Sequence, residues 1–260
     1  MNRKILFLLM LVILPVMLKA QDLVSFERAN FISGRDTLPY RILMPQNFDK
    51  SKKYPVLFFL HGAGERGNDN QSQLVHGSKL FLKQESREQF QAIIIIPQCP
   101  ANSYWPNVKI ESQNNTREFN FQKGGKPTLA MELLVKLVKD IRAKPYADRS
   151  RFYVGGLSMG GMGTLEILRR QRNTFAAGFS ICGGDNIGNV KKYRKIPLWL
   201  FHGSKDDVVP PVNSERVVAA LKTMGAEVKF TLYPEANHNS WDQAFAEPEF
   251  LSWLFSHRKK

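Results

Sequence analysis

The feature that most constrains this chain is a serine placed among glycines, between a strand-like and a helix-like segment. Residues 152–164 read FYVGGLSMGGMGT, and Ser158 is the centre of a Gly-x-Ser-x-Gly pattern within them. Such a turn exposes the serine hydroxyl, because the flanking glycines lack the Cβ atoms that would clash. The pattern predicts a serine nucleophile, with the Met159 amide donating to a developing oxyanion. The alternative is a purely structural glycine turn.

A serine nucleophile requires a base that can take its proton near neutral pH, and histidine is suited to that role. The chain has five histidines. His61 and His202 each end a strand-like run, His76 is in a polar loop and His257 is in the basic C-terminal tail. His238 is in the loop after the last strand-like run, where a strand–helix fold of this kind supplies its base. We therefore predict that His238 is the base.

The base in turn requires a carboxylate that fixes its tautomer and stabilises the imidazolium. Asp206 and Asp207 follow the strand-like run that precedes the one leading to His238. Either could act, and the alternative is that both cap a surface turn. The chain order of serine, aspartate and histidine is the order found in α/β-hydrolases.

A second oxyanion donor is expected from residues 61–67, HGAGERG, which follow another strand-like run. Glycines allow the backbone to approach a substrate oxygen closely. The Ala63 N–H is the first candidate and the Gly64 N–H the second, whereas a plain strand-to-helix turn is the alternative. No Gly-Lys-Ser/Thr sequence is present, so neither glycine segment is a phosphate-binding loop.

Strand-like and helix-like segments alternate along the chain, which predicts a doubly wound, mostly parallel α/β sheet with helices on both faces. The predicted strands are Tyr40–Met44, Pro55–Leu60, Ala92–Ile96, Arg151–Gly155, Ala177–Ile181, Leu198–Phe201 and Lys229–Tyr233. The predicted helices cover Leu129–Ile141, with Thr128 as the cap, the segment after the serine turn to about Arg170, and Ser214–Met224. We expect residues 21–260 to form a single domain.

Residues 100–127 form a long polar segment with little periodicity, and Tyr104 and Trp105 lie near its start. Loops of this length within compact domains often have a function. We therefore expect a flap that contacts substrate over the active site. The alternative is a surface excursion without a function.

The first twenty residues have the pattern of a secretory signal peptide: Arg3 and Lys4, an apolar stretch to Leu18, and the small residue Ala20. The apolar stretch is shorter than the roughly 20 residues that a membrane span needs. We therefore predict a periplasmic or secreted protein without stable membrane insertion. In an oxidising compartment Cys99 and Cys182 could pair, but they follow strands that are not expected to be neighbours, which predicts buried free thiols.

The chain is basic, with 37 Lys and Arg against 23 Asp and Glu, a formal charge of +14 that falls to +11 without residues 1–20. The basic residues are dispersed and no nucleic-acid-binding motif accompanies them. We predict that they form solvated surface and that nucleic acid is not a partner.

With these residues assembled, the chain resembles the secreted esterase branch of the α/β-hydrolases, related to phospholipase/carboxylesterase, dienelactone hydrolase and poly-hydroxybutyrate depolymerase-like proteins. The resemblance covers most of residues 21–260 and rests on motifs around His61, Pro97, Ser158, His202 and His238. It implies that the aspartate three residues after the His-Gly pair completes the triad, which favours Asp206 over Asp207.

The resemblance also implies that Ala63 and Met159 are the oxyanion donors and that Trp105 lies near the acyl or leaving-group pocket. Trp241, three residues after His238, belongs to the same set of motifs. Gly64, Trp105 and Trp241 are therefore the predicted substrate-binding residues.

We accordingly expect an exported serine carboxylesterase that uses no metal or cofactor. It would hydrolyse small-molecule or carbohydrate esters with short or carbohydrate-linked acyl groups, such as acetyl or feruloyl. One alternative is a prolyl-oligopeptidase-like serine peptidase, because the same triad cleaves amides. The other is a non-catalytic glycan-binding relative. The sequence chemistry leaves the natural ester and the oligomeric state open.

Overall fold

The computed structural model describes residues 23–113 and 116–259. The predicted signal peptide therefore lies outside the described residues. Within the described ranges, none of the helices has both the length and the apolar character that crossing a membrane demands.

In the described part of the chain, eight strands form the main sheet and two more form a separate hairpin. Their bounds are β1 Glu27–Ser33, β2 Asp36–Leu43, β3 Tyr54–Leu60, β4 Ile93–Pro97, β5 Val108–Gln113, β6 Thr116–Phe121, β7 Ala147–Leu157, β8 Ala177–Ile181, β9 Leu198–Gly203 and β10 Val228–Tyr233. The order across the sheet is β1-β2-β4-β3-β7-β8-β9-β10. β2 is antiparallel to both of its neighbours, and the other pairs of this sheet are parallel.

This sheet confirms the predicted doubly wound α/β class. β3, β4, β8 and β9 are buried along their whole length, as continuous apolar runs require when both faces of a sheet are covered. All seven predicted strands are present, with bounds shifted by a few residues. β1 was not predicted; it lies at the sheet edge and is only partly buried, at alternate positions.

The helices are α1 Ser78–Leu82, α2 Gln84–Gln89, α3 Leu129–Ala143, α4 Met159–Arg170, α5 Val212–Thr223, α6 Trp241–Ala246 and α7 Phe250–Ser256. α3, α4 and α5 contribute to one apolar cluster, and α1, α6 and α7 contribute to a second cluster. The three predicted helices are α3, α4 and α5. The remaining helices have five to seven residues, too few to show a clear period.

Helix α3 shows why the prediction from periodicity succeeds. Its apolar residues recur on one side, and seven of them are buried. The Thr128 side chain accepts a hydrogen bond from the Met131 N–H at 3.2 Å, which caps the first turn as predicted.

Within the segment 100–127, the predicted loop is in part a β-hairpin, formed by β5 and β6. Hydrogen bonds to residues outside the hairpin fix both of its ends. The Asn107 N–H donates to Glu166 of α4 at 2.5 Å, and the Asn186 side chain donates to the Phe121 carbonyl at 2.9 Å. The Asn189 amide donates to the Gln122 carbonyl at 3.1 Å. Side chains from distant parts of the chain make these bonds, so periodicity alone could not reveal the hairpin.

Both cysteines are buried and unpaired, as predicted. Cys99 follows β4 and Cys182 follows β8, and β3 and β7 lie between these two strands in the sheet.

Candidate active site

Ser158 lies at the junction where β7 ends and α4 begins. Its backbone has φ 53° and ψ −119°, a conformation that is costly for a residue with a side chain and that the surroundings must hold in place. Its N–H donates to the Ile181 carbonyl at 2.8 Å. A Cβ atom on Gly160 would lie 1.9 Å from the Leu60 carbonyl oxygen, so only glycine allows the turn to pack this closely on β3.

His238 is in the loop after β10 and connects the serine to a carboxylate. Its Nε2 lies 3.0 Å from Ser158 Oγ, and its Nδ1 lies 2.8 Å from Asp206 Oδ2. With the proton on Nδ1 donated to Asp206, Nε2 is free to accept the serine proton. The structure therefore brings together the three side chains that the sequence analysis selected as nucleophile, base and acid.

Of the two adjacent aspartates, only Asp206 faces His238. The Asp206 side chain is fully buried, whereas Asp207 is exposed. Asp206 Oδ1 accepts hydrogen bonds from the N–H groups of Val208 and Val209, at 3.0 and 2.8 Å. This geometry selects Asp206, in agreement with the expectation from the family resemblance.

Asp206 remains ionised over the ordinary pH range. Burial raises the pKa of its carboxyl, but hydrogen bonds from His202, His238 and the Val209 N–H outweigh burial. The net result is a pKa well below the usual range for an aspartate. A permanent negative charge therefore faces the Nδ1 of His238.

Two other histidines near the site have structural contacts. His61 Nε2 accepts from the Cys99 N–H at 2.9 Å, and its Nδ1 lies 2.6 Å from the Gly62 carbonyl. Burial lowers the pKa of His61 to about 4, so the ring is neutral and joins the end of β3 to the end of β4. His202 is fully buried, and its Nε2 lies 3.2 Å from Asp206 Oδ2.

The two predicted oxyanion donors lie at the starts of helical turns. Met159 is the first residue of α4, and Ala63 is the first residue of the 3₁₀ turn Ala63–Glu65. The first N–H groups of such turns have no partner within the turn and are available to a ligand. A Cβ built on Gly62 would lie 3.8 Å from Ser158 Cβ, so this loop adjoins the nucleophile.

Arg66 fixes the loop that carries Ala63. Its Nε donates to the Ala63 carbonyl at 3.0 Å, and its Nη1 donates to the Ser103 carbonyl at 3.2 Å. Its guanidinium also lies 5.1 Å from the centre of the Tyr104 ring. The loop therefore has a defined position before substrate binds.

Ser158 and His238 line a cleft on the protein surface. Ala63, Gly64 and Trp241, which are among the predicted site residues, line it, and the hairpin β5–β6 contributes Ile110, Arg117 and Phe119. Residues of the segment 100–127 thus face the site, as expected of a flap. Glu65 and His76 also line the cleft and were not predicted to do so. Glu65 is in the loop 61–67, where only backbone N–H groups were considered, and His76 is in a polar loop without a motif.

The position of Trp105 does not support its prediction as a substrate-binding residue, because Trp105 is not among the residues that line the cleft. The residue is fully buried, and its ring centre lies 5.5 Å from that of His61. Gly163 of α4 makes room for it, since a Cβ there would lie 2.5 Å from the Trp105 Cβ. The neighbouring Tyr104 lines the cleft instead.

Cys182, Asp206 and His238 place one donor atom each within 4.8 Å of one another, a spacing that could hold a metal ion. Two observations disfavour that role. Burial raises the pKa of the Cys182 thiol, and metal ligation requires the thiolate. His238 and Asp206 already bond each other at 2.8 Å.

Known proteins resemble this chain over most of its length. The family model described as phospholipase/carboxylesterase matches residues 47–252. Lysophospholipase-like protein 1 of Mus musculus is 28% identical over 196 residues, which cover 70% of this chain and 79% of that protein. The solved structure of a thermostable esterase superposes with a TM-score of 0.82 and 31% identity, and covers 92% of this chain and 64% of that one.

A shorter match involves a carbohydrate-active protein. The bifunctional acetylxylan esterase/xylanase of Neocallimastix patriciarum is 34% identical over 88 residues, 34% of this chain and 12% of that protein. The chain thus spans about an eighth of this relative and less than two thirds of the thermostable esterase chain.

Proposed function

Since the chain belongs to the phospholipase/carboxylesterase family of α/β-hydrolases, we propose that it is an exported serine carboxylesterase acting on short-acyl or carbohydrate-linked esters. The observation that carries this proposal is the pair of contacts made by His238. Its Nε2 is 3.0 Å from Ser158 Oγ and its Nδ1 is 2.8 Å from Asp206 Oδ2.

In the proposed reaction, Ser158 Oγ attacks the ester carbonyl while His238 Nε2 accepts the serine proton. The N–H groups of Met159 and Ala63 stabilise the oxyanion, and Asp206 stabilises the imidazolium. Collapse of the intermediate breaks the bond to the alcohol oxygen, which takes the proton from His238. Water then attacks the acyl-enzyme with His238 as base, which releases the acid and restores the serine.

The lining of the cleft supports a substrate with both apolar and polar parts. Ile110 and Phe119 present apolar surface, and Glu65 and His76 present polar groups. The name of the acetylxylan esterase relative points in the same direction, toward esters carried by a carbohydrate. Acetyl and feruloyl esters are therefore the first substrates to test.

Export is supported by the pattern of residues 1–20, in which Arg3 and Lys4 precede an apolar stretch and the small residue Ala20 precedes position 21. Mass spectrometry of the protein recovered from periplasm and medium would test it. A chain that retains Met1 in the cytoplasm would contradict export and leave the esterase proposal intact.

The test of the activity compares the wild type with Ser158→Ala on p-nitrophenyl acetate, butyrate and laurate, and on methyl ferulate. The variant should lose at least about 10⁴-fold in kcat, and the wild type should prefer acetate or butyrate to laurate. The wild type alone should be labelled by a fluorophosphonate. Equal turnover by both proteins, or a preference for laurate, would contradict the proposal. Absence of labelling would favour a non-catalytic binding protein.

A further inference from the structure

Three side chains that have no role in the proposed mechanism meet beside the base. The ring centre of Trp241 lies 5.4 Å from that of His238 on one side and 5.0 Å from that of His76 on the other. His76 Nε2 lies 3.8 Å from Glu65 Oε1. All three residues line the cleft that contains Ser158.

The His76 imidazole and the Glu65 carboxylate can form hydrogen bonds with a ligand. A separation of 3.8 Å is too long for a hydrogen bond between His76 and Glu65. The side chains are nonetheless held in the cleft, with exposed fractions of 33% for His76 and 14% for Glu65. An imidazole and a carboxylate in this arrangement can bond adjacent hydroxyl groups of one ligand.

The position of Glu65 has an electrostatic cost. One of its carboxylate oxygens lies 3.0 Å from the point where a Cβ of Gly62 would be, beside the loop whose N–H groups are to hold an oxyanion. A negative charge there opposes the charge that develops in the reaction. A residue that works against its own site in this way indicates another role, and binding hydroxyl donors of the substrate would provide one.

The contacts of His238 assign this cluster to one part of the substrate. The base must return its proton to the alcohol oxygen, so that oxygen lies next to His238 Nε2 when the ester bond breaks. The body of the alcohol then extends over the residues that adjoin His238, and Trp241 is in direct contact with it.

We infer that Glu65, His76 and Trp241 form a leaving-group subsite that binds a polyhydroxylated alcohol, a sugar residue of the esterified carbohydrate. The indole provides a flat apolar surface for the sugar ring, and Glu65 and His76 bond its hydroxyl groups. This inference rests on the proposed esterase function and specifies the alcohol that the ester carries.

The experiment compares two esters of the same acid that differ only in the alcohol. One pair is a feruloyl ester of arabinose and methyl ferulate, and the other is monoacetylated xylobiose and p-nitrophenyl acetate. Because both members of a pair form the same acyl-enzyme, the ratio of their kcat/KM values isolates the recognition of the alcohol. The pair to use is the one whose acyl group the wild type hydrolyses faster.

Glu65→Met keeps the length of the side chain and removes its hydrogen bonds. It should lower the ratio of sugar ester to simple ester at least about tenfold, the effect of losing a hydrogen bond to a charged group. Glu65→Gln, which still bonds hydroxyl groups, should restore part of the ratio. His76→Phe should lower it in the same sense. Glu88→Met, at an exposed position of α2, is the matched control and should leave the ratio unchanged.

The outcomes separate this inference from the proposed function. If the wild type hydrolyses neither ester, the esterase proposal fails. If it hydrolyses both but Glu65→Met and His76→Phe leave the ratio unchanged, the subsite is wrong and the esterase stands. Cleavage of an aminoacyl p-nitroanilide that is lost in Glu65→Met would also overturn the inference, because the carboxylate would then bind an ammonium group.

Discussion

His202 Nε2 lies 3.2 Å from Asp206 Oδ2, the same carboxylate oxygen that His238 Nδ1 contacts at 2.8 Å. The second oxygen of Asp206 accepts two backbone N–H groups. His202 is itself held, with Nδ1 2.7 Å from Ser214 Oγ and Nε2 2.8 Å from the Val209 carbonyl. A buried histidine that does not line the cleft therefore contributes, together with two backbone N–H groups, to the orientation of the carboxylate toward His238.

Replacement of His202 by Leu should raise the pKa of Asp206, because it removes a hydrogen bond to the ionised form. The low pKa of Asp206 stabilises the fold above about pH 4, and this contribution is lost as the pH falls. The variant should thus lose about 2 kcal/mol of unfolding free energy at pH 7 and less at pH 3. Urea unfolding of the variant and of the wild type at pH 3 and pH 7 measures this difference.

The matched variant is His202→Gln, whose side-chain amide can donate to the same oxygen. This variant should restore most of the wild-type dependence of the unfolding free energy on pH. Identical profiles for wild type, Leu and Gln variants would show that His202 only fills space.

The two neighbouring aspartates should differ sharply in their effect on turnover. Asp206→Asn removes the charge that stabilises the imidazolium and can favour the wrong tautomer of His238, so kcat should fall about 10⁴-fold. Asp207→Asn changes an exposed side chain and should leave kcat within about twofold. Steady-state kinetics on p-nitrophenyl acetate would measure both. Comparable losses in the two variants would contradict the assignment of Asp206.

The packing of the serine turn on β3 should make Gly160 intolerant of any side chain. The Cβ of Gly160→Ala would lie 1.9 Å from a backbone oxygen, which must move, and we expect a loss of more than about 3 kcal/mol or no folded protein. Gly64→Ala is the control, since no atom lies within 4 Å of its Cβ position. Its unfolding free energy should stay within about 0.5 kcal/mol of the wild type. Thermal unfolding of both variants tests this difference.

Asp185 should make the unfolding free energy of the protein depend on pH. Burial raises its pKa to about 6, although hydrogen bonds from Asn189, the Asn186 N–H and Tyr193 act against burial. The folded state therefore binds this proton more tightly than the unfolded state, for which the pKa is about 4. The contribution of the group to stability is complete below about pH 4 and is lost as the pH rises through about 6.

Asp185→Asn removes that titration. Between pH 4 and pH 7, the unfolding free energy of the wild type should fall relative to this variant by up to about 3 kcal/mol. Urea unfolding at several pH values measures the difference, and Asp36→Asn, at an exposed position, serves as the control. Parallel curves for wild type and Asp185→Asn would show that Asp185 does not titrate in this range.

Features that depend only on residues close together in the sequence could be predicted without the structure. The apolar period of α3, the continuous apolar runs of β3 and β8, and the glycines around Ser158 all act over a few residues. β1 and the β5–β6 hairpin were not predicted because their described residues are exposed or only partly buried and show no continuous apolar run. Their stability comes from pairing and from side chains elsewhere in the chain, such as Glu166 and Asn186.

The α/β class, the serine turn and the candidates for base and acid could all be predicted from the order of the amino acids. Local periodicity and the steric needs of a tight turn leave few other solutions. The three-dimensional arrangement was needed to show that Asp206 faces His238 and that Trp105 is buried while Tyr104 lines the cleft. It was also needed to show that Glu65, His76 and Trp241 meet beside the base. These arrangements bring together residues up to 176 positions apart, from Glu65 to Trp241. They depend on the order of the strands in the sheet, which brings loops from distant parts of the chain together.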